Sequence, residues 1–333
     1  HVTRHLRRGE ALLSTFVSGE RILALVLTRT RRDLVILPDG AVVHETLEKL
    51  EQHLETMVLG AQVGYPNLDF LKRYADSLLE RLHASILGPL ESSLEGIDRL
   101  LVMPHGMLHR VPFECLRDEA GYIDVRFSLA RLPTADTLIR RRGRRGKGEV
   151  LVCGTSTGGP PFVDRELEDV VSRFPPHSTT VLRDVPTAAL LEGMRKARIV
   201  HIAAHGAFRS DNPSFSRIAT GDGALFVSDV LEHRLRADLV ALSACESGKV
   251  TAGQGDELSS VAHAFLASGA RALLATRWRI HDEATTKLMN AFYDRLTAGT
   301  AIDPAGALRG AMAEVRERWP HPFFWGGFSV HGM

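Results

Sequence analysis

The spacing of apolar residues predicts both strands and helices in the first 138 residues. Two apolar stretches flank Ser18-Gly19-Glu20 and predict a β-hairpin. Residues 44–58 and 68–90 carry leucines at helical spacing and predict two helices. The predicted strands of this region are LLSTFV, ILALVLT, LVILP, RLLVMP and VRFSLARLP.

Strand and helix patterns alternate regularly after residue 148. The predicted strands are EVLVCG, TTVLRDV, RIVHIAAH, LVALSAC, ALLATRW and FFWGGFSV. The predicted helices cover residues 166–174, a segment that begins at Pro186-Thr187, and residues 257–269, 282–299 and 304–318. This alternation predicts an α/β fold with a mostly parallel sheet that is covered on both faces.

The segment IRRRGRRGKG (139–148) is the clearest change of composition in the chain. Five arginines, one lysine and three glycines cannot bury an apolar face, so we expect an exposed basic linker. We therefore predict a companion subdomain over residues 1–138 and a catalytic subdomain over residues 149–333. The alternative is that the linker binds nucleic acid, but the linker lacks the interleaved aromatic residues that would support this interpretation.

Composition places the chain among ordinary globular proteins. Its 333 residues are 44% hydrophobic and 24% charged, and the formal net charge is +1. This balance gives no general case for direct binding to nucleic acid or to a membrane, and no apolar run is long enough to span a bilayer. The first residue is His1 rather than Met, so we expect the sequence to be a piece of a longer protein.

Cysteine usage indicates a reducing compartment. Cys115, Cys153 and Cys245 form an odd and sparse set, so a disulfide framework is not expected. No signal-peptide pattern is present, and we predict a cytoplasmic location. No Cys-x-x-Cys or His-Glu-x-x-His pairing occurs, and we expect neither a metal nor another cofactor.

Two reactive side chains follow neighbouring predicted strands. His205 ends RIVHIAAH and is followed by Gly206, whereas Cys245 ends LVALSAC. The carboxyl ends of parallel strands meet at one edge of a sheet, where sites gather. An imidazole there can activate a thiol, and Gly206 lets a substrate carbonyl approach backbone N–H groups. A buried, inert cysteine is the plainer interpretation of Cys245.

A set of longer motifs resembles the CHAT family of caspase-like cysteine peptidases, which are related to separase and are often fused to TPR repeats. These motifs are IVHIAAHGAF, LVALSACESG, GQGDELSSVAHAFLASGARALLATRW, HDEATTKLMNAFYDRLTAG and HPFFWGGFSVHG. The resemblance implies a caspase-like three-layer sandwich, preceded by a smaller pseudo-caspase-like α/β subdomain. It also implies a dyad in which His205 is the base and Cys245 the nucleophile, with the N–H groups of Gly206 and Cys245 as the oxyanion hole.

Substrate selection is predicted from residues that follow the catalytic strands. An acidic residue in the S1 pocket would select Arg or Lys, and Asp256, Glu257 and Asp282 are the candidates. Helix capping or a favourable charge at a helix start explains the same residues without a substrate. Trp278 is a candidate groove wall or a core aromatic residue. The family's usual segment after the sixth strand reads Leu-Trp-x-Val-x-Asp, whereas this chain has RWRIHD at 277–282. Arg277 and Arg279 add positive charge there and put the family's side-chain preference in question.

The resulting prediction is a cysteine endopeptidase that cleaves specific protein partners at one site. The resemblance implies activation by a partner or an attached TPR-type domain, in bacterial defence or cell death, with a pore-forming or signalling protein as a candidate substrate. Two alternatives stay open at this point. One is a catalytically silent interaction module, and the other is a cysteine acyltransferase or thioesterase.

Overall fold

The computed structural model describes residues 2–65, 67–140, 149–155, 162–207, 215–243, 256–278, 281–299 and 301–333. The strands in the first part of the chain are β1 (Glu10–Ser18), β2 (Arg21–Leu27), β3 (Arg32–Leu37), β4 (Arg99–Met103), β5 (Arg117–Asp118), β6 (Gly121–Tyr122) and β7 (Ser128–Arg131). The α-helices there are α1 (Gly40–Val63), α2 (Leu68–Ile86) and α3 (Asp136–Arg140). The predicted hairpin and the two long helices are therefore confirmed.

The second part of the chain contains the remaining strands and helices. The strands are β8 (Val150–Gly154), β9 (Thr179–Arg183), β10 (Ile199–Ala203), β11 (Gly206–Ala207), β12 (Arg217–Thr220), β13 (Gly223–Phe226), β14 (Leu239–Ser243), β15 (Ala272–Thr276) and β16 (Phe328–Gly332). The helices are α4 (Phe162–Val171), α5 (Thr187–Lys196), α6 (Val227–Glu232), α7 (Asp256–Ala267), α8 (Asp282–Ala298), α9 (Pro304–Arg318) and α10 (Pro322–Trp325).

Eleven of the described strands form one continuous sheet. Their order is β3-β2-β1-β4-β7-β16-β15-β14-β10-β8-β9. Strands β1, β4, β7 and β16 run parallel to one another, whereas β16 is antiparallel to β15. Strands β15, β14, β10, β8 and β9 are again parallel. The N-terminal half of the sheet (β3 to β16) and the C-terminal half (β15 to β9) therefore meet at the antiparallel pair of β16 and β15, and within the N-terminal half β2 is antiparallel to β1 and β3.

Helices cover the C-terminal half of the sheet on both faces. Leu239 and Ala241 belong to one core that also contains α8 and α9 residues. Val240 and Leu242 point the other way, into a second core with residues of α5, α6 and α7. Alternate residues of one strand thus fill two cores, because successive side chains of a strand face opposite sides. Each fully buried aliphatic side chain contributes about 1.5–3 kcal/mol, so such central strands are strongly fixed. The expected mostly parallel α/β sandwich is confirmed.

The C-terminal strand begins later than the sequence predicts. FFWGGFSV was expected to form one strand, but Pro322 starts the short helix α10, and β16 begins at Phe328. His321 precedes this helix, and its Nδ1 accepts a hydrogen bond from the Phe323 backbone N–H (3.0 Å). Proline at the first helical position and an N-cap acceptor both favour a helix start.

The basic linker falls largely outside the described residues. Helix α3 includes Arg140, and residues 141–148 are not described. The division of the chain at residues 138 and 149 stays a prediction. Across the described part of the chain, no helix combines the length and apolar character that crossing a bilayer requires.

Candidate active site

The register between β10 and β14 defines the edge at which the predicted dyad would lie. Ile199 is opposite Leu239, and the pairing continues without interruption to Ala203 opposite Ser243. His205 follows β10 by two residues. Cys245 follows β14 by two residues but lies outside the described residues. Both strands end at the carboxyl edge of the C-terminal half, where α/β folds place their sites.

Backbone hydrogen bonds hold the chain around His205 in place. The His205 carbonyl accepts a hydrogen bond from the Ala219 N–H (2.8 Å), which joins it to β12. Thr155 links the same region to the end of β8, because its N–H donates to the Ala203 carbonyl (3.1 Å) and its hydroxyl donates to the Ala219 carbonyl (3.1 Å). Hydrogen bonds to neighbouring segments therefore fix the backbone position of His205.

Gly206 pairs with Ile218 in a small antiparallel sheet of β11, β12 and β13. The hydrogen bond between Ala219 and His205 flanks this pair, so the pair is of the non-hydrogen-bonded type. In such a pair the N–H of the residue points away from the partner strand. The Gly206 N–H is thus directed away from β12.

A concave pocket lies beside His205. It is lined by His205, Gly206, Ala207, Arg217, Ala219, Gly223, Ala224 and Phe226. Arg217 gives this pocket a positive charge, and sequence reasoning missed it. The signal that could have found it is Gly221-Asp222-Gly223 between the short apolar stretches RIAT and ALF, because Asp-Gly between such stretches is a hairpin signal.

Cys115 and Cys153 are buried and poor candidates for a nucleophile. The Cys153 thiol donates a hydrogen bond to the His201 carbonyl (3.4 Å), and burial raises its pKa to about 12. Burial also raises the pKa of Cys115 well above its ordinary value, beside a hydrogen bond to the Gly326 carbonyl (3.7 Å). Neither thiol forms a thiolate readily near neutral pH, and the thiolate is the nucleophile.

His201 is a core residue, as its position inside a strand predicts. Its ring is fully buried, its Nδ1 lies 3.1 Å from the Tyr293 hydroxyl, and its Nε2 lies 3.3 Å from Glu166 Oε1. These partners lie on α8 and α4, which pack on one face of the sheet. His201 therefore joins the sheet to its helices and is separated from the pocket.

The acidic S1 candidates lie at the starts of two helices. Asp256 and Glu257 begin α7, and Asp282 is the exposed first residue of α8. Helix α8 follows β15 directly, so its N-terminus is at the carboxyl edge of the C-terminal half. The N-cap of α8 is His281, not Asp282, which corrects the capping expected from the sequence. The side chains of Asp256 and Glu257 are outside the described part of the structure.

Trp278 and Arg277 point into the protein. Trp278 is 5% exposed, and its indole N–H donates to the Phe323 carbonyl (3.1 Å). The Arg277 guanidinium donates to the carbonyls of His109 (3.3 Å) and Arg110 (2.7 Å), and burial lowers its pKa. Arg277 therefore joins the two halves of the molecule rather than adding charge to an open groove, whereas Arg279 is outside the described residues.

One group of side chains has the composition of a metal site. A ring nitrogen of His83 and carboxylate oxygens of Glu91 and Asp118 lie within 4.8 Å of one another. The Arg126 guanidinium donates to both carboxylates, at 2.7 and 3.0 Å to Glu91 and 3.2 Å to Asp118. The two carboxylates of this group therefore already have a cationic partner.

Comparison with known proteins gives a consistent family. The sequence model of the CHAT domain matches residues 76–333. Tetratricopeptide repeat protein 28 of Mus musculus is 35% identical over 112 residues, which cover 32% of this chain and 4% of that protein. The Homo sapiens protein of the same name is 32% identical over 139 residues, 40% of this chain and 5% of that protein. The matched segment is a small part of both relatives.

Solved structures share the fold at low sequence identity. The Saccharomyces cerevisiae separase in complex with securin has a TM-score of 0.72 and 10% identity, covering 100% of this chain and 30% of that chain. The Porphyromonas gingivalis RgpB pro- and mature domains give a TM-score of 0.50 and 11% identity, with 86% of this chain and 75% of that chain covered. The expected caspase-like fold is therefore confirmed.

Proposed function

Because the chain belongs to the CHAT domain family and has the fold of caspase-like cysteine peptidases, we propose that it is a cysteine endopeptidase. In this proposal it cleaves specific protein partners, with His205 as the base and Cys245 as the nucleophile. Family and fold alone do not make an enzyme, since one fold hosts active and silent members. The proposal therefore rests on residues of this chain.

The register of β10 and β14 is the observation that carries the proposal. Ala203 lies opposite Ser243, and in the sequence a reactive residue follows each of them two positions later. Neighbouring strands are about 4.8 Å apart, so side chains at matching positions beyond the sheet come within reach of each other. Position 245 is the match of position 205 along this register. A cysteine shifted by one residue would face the other side of the sheet.

The proposed chemistry needs only these two side chains and backbone N–H groups. His205 takes the thiol proton of Cys245 as the sulfur attacks the scissile carbonyl carbon. In this proposal the N–H groups of Gly206 and Cys245 stabilise the oxyanion, and the Gly206 N–H is directed away from β12. The histidine then protonates the leaving amine, and water hydrolyses the thioester to free the enzyme.

Substrate preference is proposed from the acidic residues at the carboxyl edge. Asp282 is exposed at the start of α8, so it is the best supported of the three S1 candidates, whereas Asp256 and Glu257 begin α7, which packs on the other face of the sheet. A carboxylate in S1 selects Arg or Lys before the cleaved bond. Trp278 would support the groove from within, because its indole is buried. Arg217 would favour an acidic residue at a subsite next to His205.

Partners and biological role are part of the same proposal. The relatives are tetratricopeptide repeat proteins, and the yeast separase was solved with securin bound. By analogy, a TPR-type domain or a regulatory protein would control this chain, in the cytoplasm and in a bacterial defence or cell-death pathway. The substrate would be one protein, such as a pore-forming or signalling protein, cut at one bond.

The test compares wild type with Cys245→Ala, His205→Ala and the matched control Cys153→Ala. Each is incubated with fluorogenic peptides that differ at P1 and with an iodoacetamide probe. We expect cleavage after Arg or Lys and labelling of Cys245. Both should be lost in Cys245→Ala and retained in Cys153→Ala, because the Cys153 thiol is buried with a raised pKa.

His205→Ala should abolish cleavage and slow the labelling. If wild type neither cleaves nor labels under any condition, including with a TPR-type partner present, the chain is a silent interaction module. Cleavage that survives Cys245→Ala would place the catalytic residues elsewhere.

A further inference from the structure

The outer face of the N-terminal hairpin carries an uncovered apolar surface. Cross-strand pairs place Phe16 beside Leu23 and Leu23 beside Ile36, and the next row contains Leu25 beside Leu34. Phe16, Leu34 and Ile36 are 54%, 66% and 69% exposed. We define these five residues, Phe16, Leu23, Leu25, Leu34 and Ile36, as the outer face.

The opposite side of β2 is fully covered. Ile22, Ala24 and Val26 of β2 are 0% exposed, and they share a core with Val43 and Leu47 of α1. A strand that is buried on one side normally carries polar residues on the other. Here the side that faces away from α1 also carries apolar residues. Such residues favour contact with another protein surface over exposure to water.

The C-terminal half shows what is missing at this end of the sheet. The second core packs helices α5, α6 and α7 against strands β8, β10, β14 and β15, and among the described residues none of its members comes from β1, β2 or β3. The three strands of the hairpin region therefore have one helical layer, whereas the C-terminal strands have two. Contiguous exposed apolar patches of this kind mark interaction sites.

The dimensions of the outer face fit one helix. Three strands at about 4.8 Å spacing make a surface about 10 Å wide, and an α-helix with its side chains is about 10–12 Å across. A partner strand would instead pair with the edge of β3 and leave the outer face open. The exposed side chains thus indicate a helical partner.

Two arginines mark the ends of the outer face. Side-chain alternation puts Arg21 on the same side as Leu23 and Leu25, and Arg32 on the same side as Leu34 and Ile36. Both arginines are exposed. Arg21 pairs with Ser18 at one end of β2, and Arg32 pairs with Leu27 at the other end.

The separation of the two arginines sets the length of the partner. The part of β2 between Arg21 and Leu27, the residue that pairs with Arg32, is about 20 Å long at 3.4 Å per residue. An α-helix of about 13 residues has the same length at 1.5 Å per residue. Acidic side chains at the two ends of a helix of about four turns would reach both guanidinium groups and form charge-assisted hydrogen bonds.

We propose that the outer face binds an amphipathic α-helix of a protein partner, with acidic side chains about 13 residues apart at the ends of its apolar stripe. The helix supplies the missing third layer of the sandwich at this end of the sheet. The proposal is independent of peptidase activity, since the outer face belongs to the half of the sheet without His205.

The test uses two designed 20-residue amphipathic peptides that differ only at the two ends of the apolar stripe. One has Glu at both positions and the other has Lys. We expect fluorescence anisotropy to give at least tenfold tighter binding of the Glu peptide at low ionic strength, with a smaller ratio at high salt. Methyl NMR of labelled isoleucines gives the location. The Ile36 methyl should shift, whereas the Ile22 methyl on the buried side should not.

Variants separate the apolar and the charged contributions. The double variant Leu34→Thr/Ile36→Thr keeps strand-forming residues and should weaken binding at least tenfold. Leu231→Gln, which removes a similarly exposed leucine from α6, is the matched control and should bind as wild type does. The double variant Arg21→Glu/Arg32→Glu should reverse the preference and bind the Lys peptide more tightly.

Three results would overturn the proposal. One is equal binding of the two peptides to wild type, and another is an unchanged Ile36 methyl at saturating peptide. The third is a dimer of the chain alone, seen by sedimentation and lost in Leu34→Thr/Ile36→Thr, because a second copy would then cover the outer face.

Discussion

Each half of the sheet has a central parallel strand that is followed by a His-Gly pair. His105-Gly106 follows β4 and His205-Gly206 follows β10. The two histidines have different surroundings. His105 Nδ1 accepts a hydrogen bond from the Val17 N–H (3.1 Å), and its ring stacks on Phe16 at 4.7 Å. A ring nitrogen that is held by a backbone donor is not free to act as a base.

The neighbouring strands differ as well. Val102 of β4 lies opposite Arg131, the last residue of β7, and counting onward along this register sets Thr134 against His105. In the C-terminal half the same count from Ala203 and Ser243 matches position 205 with position 245, which lies outside the described residues. Arg131 is itself buried in an ion pair with Glu114 (3.1 Å). A His-Gly pair at a strand end is therefore not a site unless the next strand supplies a nucleophile and the edge stays open.

Replacing each of the two histidines by alanine gives the largest expected effect on cleavage. His205→Ala should lower kcat/KM by at least about 100-fold, the usual contribution of a general base, with little change in stability. His105→Ala should leave cleavage within twofold but lower the free energy of unfolding by about 1 kcal/mol, because the Val17 N–H loses its acceptor. Peptide cleavage and urea titration measure the two effects. Loss of cleavage in a folded His105→Ala variant would contradict the structural role of His105.

The buried ion pair at the end of β7 gives the largest expected effect on stability. Glu114→Ala leaves Arg131 buried without its carboxylate and should cost about 3–5 kcal/mol of stability, measured by urea titration. Asp164→Ala removes the partner of Arg183 in a surface pair of the C-terminal half and is the matched control. Its titration midpoint should stay close to that of wild type. Equal midpoints for both variants would contradict the assignment of the N-terminal strand end as structural.

Acid should weaken a contact between the two halves. His53 of α1 and His321 meet at 3.0 Å between their Nε2 atoms, and both are buried. His321 Nδ1 accepts from the Phe323 N–H, so its Nε2 carries the proton that it donates to His53. Burial, followed by the nearby His53, lowers the pKa of His321 from 6.5 to about 3.

The sign of the pH effect follows from that lowered pKa. Because the folded state resists protonation of His321, stability is complete above pH 6.5 and falls as the pH drops towards 3. Between pH 6.5 and pH 5 this group should cost about 2 kcal/mol. His321→Asn keeps an N-cap acceptor and should lose that part of the pH dependence in urea titrations. An unchanged dependence would show that other groups cause the acid sensitivity.

The smallest effect concerns the hairpin that forms the pocket wall. Asp222 accepts hydrogen bonds from the Thr187 N–H (2.9 Å) and from the Thr187 and Thr220 hydroxyls (both 3.1 Å). The Thr187 N–H is also the main cause of the lowered pKa of Asp222. Asp222→Ala should speed hydrogen exchange of β12 and β13 and raise KM severalfold. Unchanged exchange would mean that the strands hold the pocket wall without this anchor.

Much of the fold follows from apolar patterning. The alternation after residue 148 predicts β8, β9, β10, β14 and β15 and helices α5, α7, α8 and α9, because continuous apolar runs and helical spacing are local signals. Helix α4 begins four residues before the predicted start, and the small sheet of β11, β12 and β13 was not predicted. Its strands are two to four residues long, too short for a periodic pattern.

The candidate site depends on contacts between distant segments, which the sequence pattern does not predict. His205 could be placed at a strand end from the pattern of RIVHIAAH, but its bond to Ala219 requires β12 to lie beside it. The buried position of Trp278 depends on Phe323, and the position of Arg277 depends on the carbonyls of His109 and Arg110. Such contacts join residues that are far apart along the chain, so tertiary structure decides them.

The position of β16 has a consequence for synthesis. Among the described strands it comes last in the sequence, yet it lies in the middle of the sheet, between β7 and β15. The ribosome therefore releases both flanking strands before the strand that joins them, and domains generally begin to fold from the N-terminus during synthesis. A nascent chain that has not yet released Phe328–Gly332 holds two unjoined half-sheets with open edges. We expect the complete sheet to form only after the segment Phe328–Gly332 has left the ribosome.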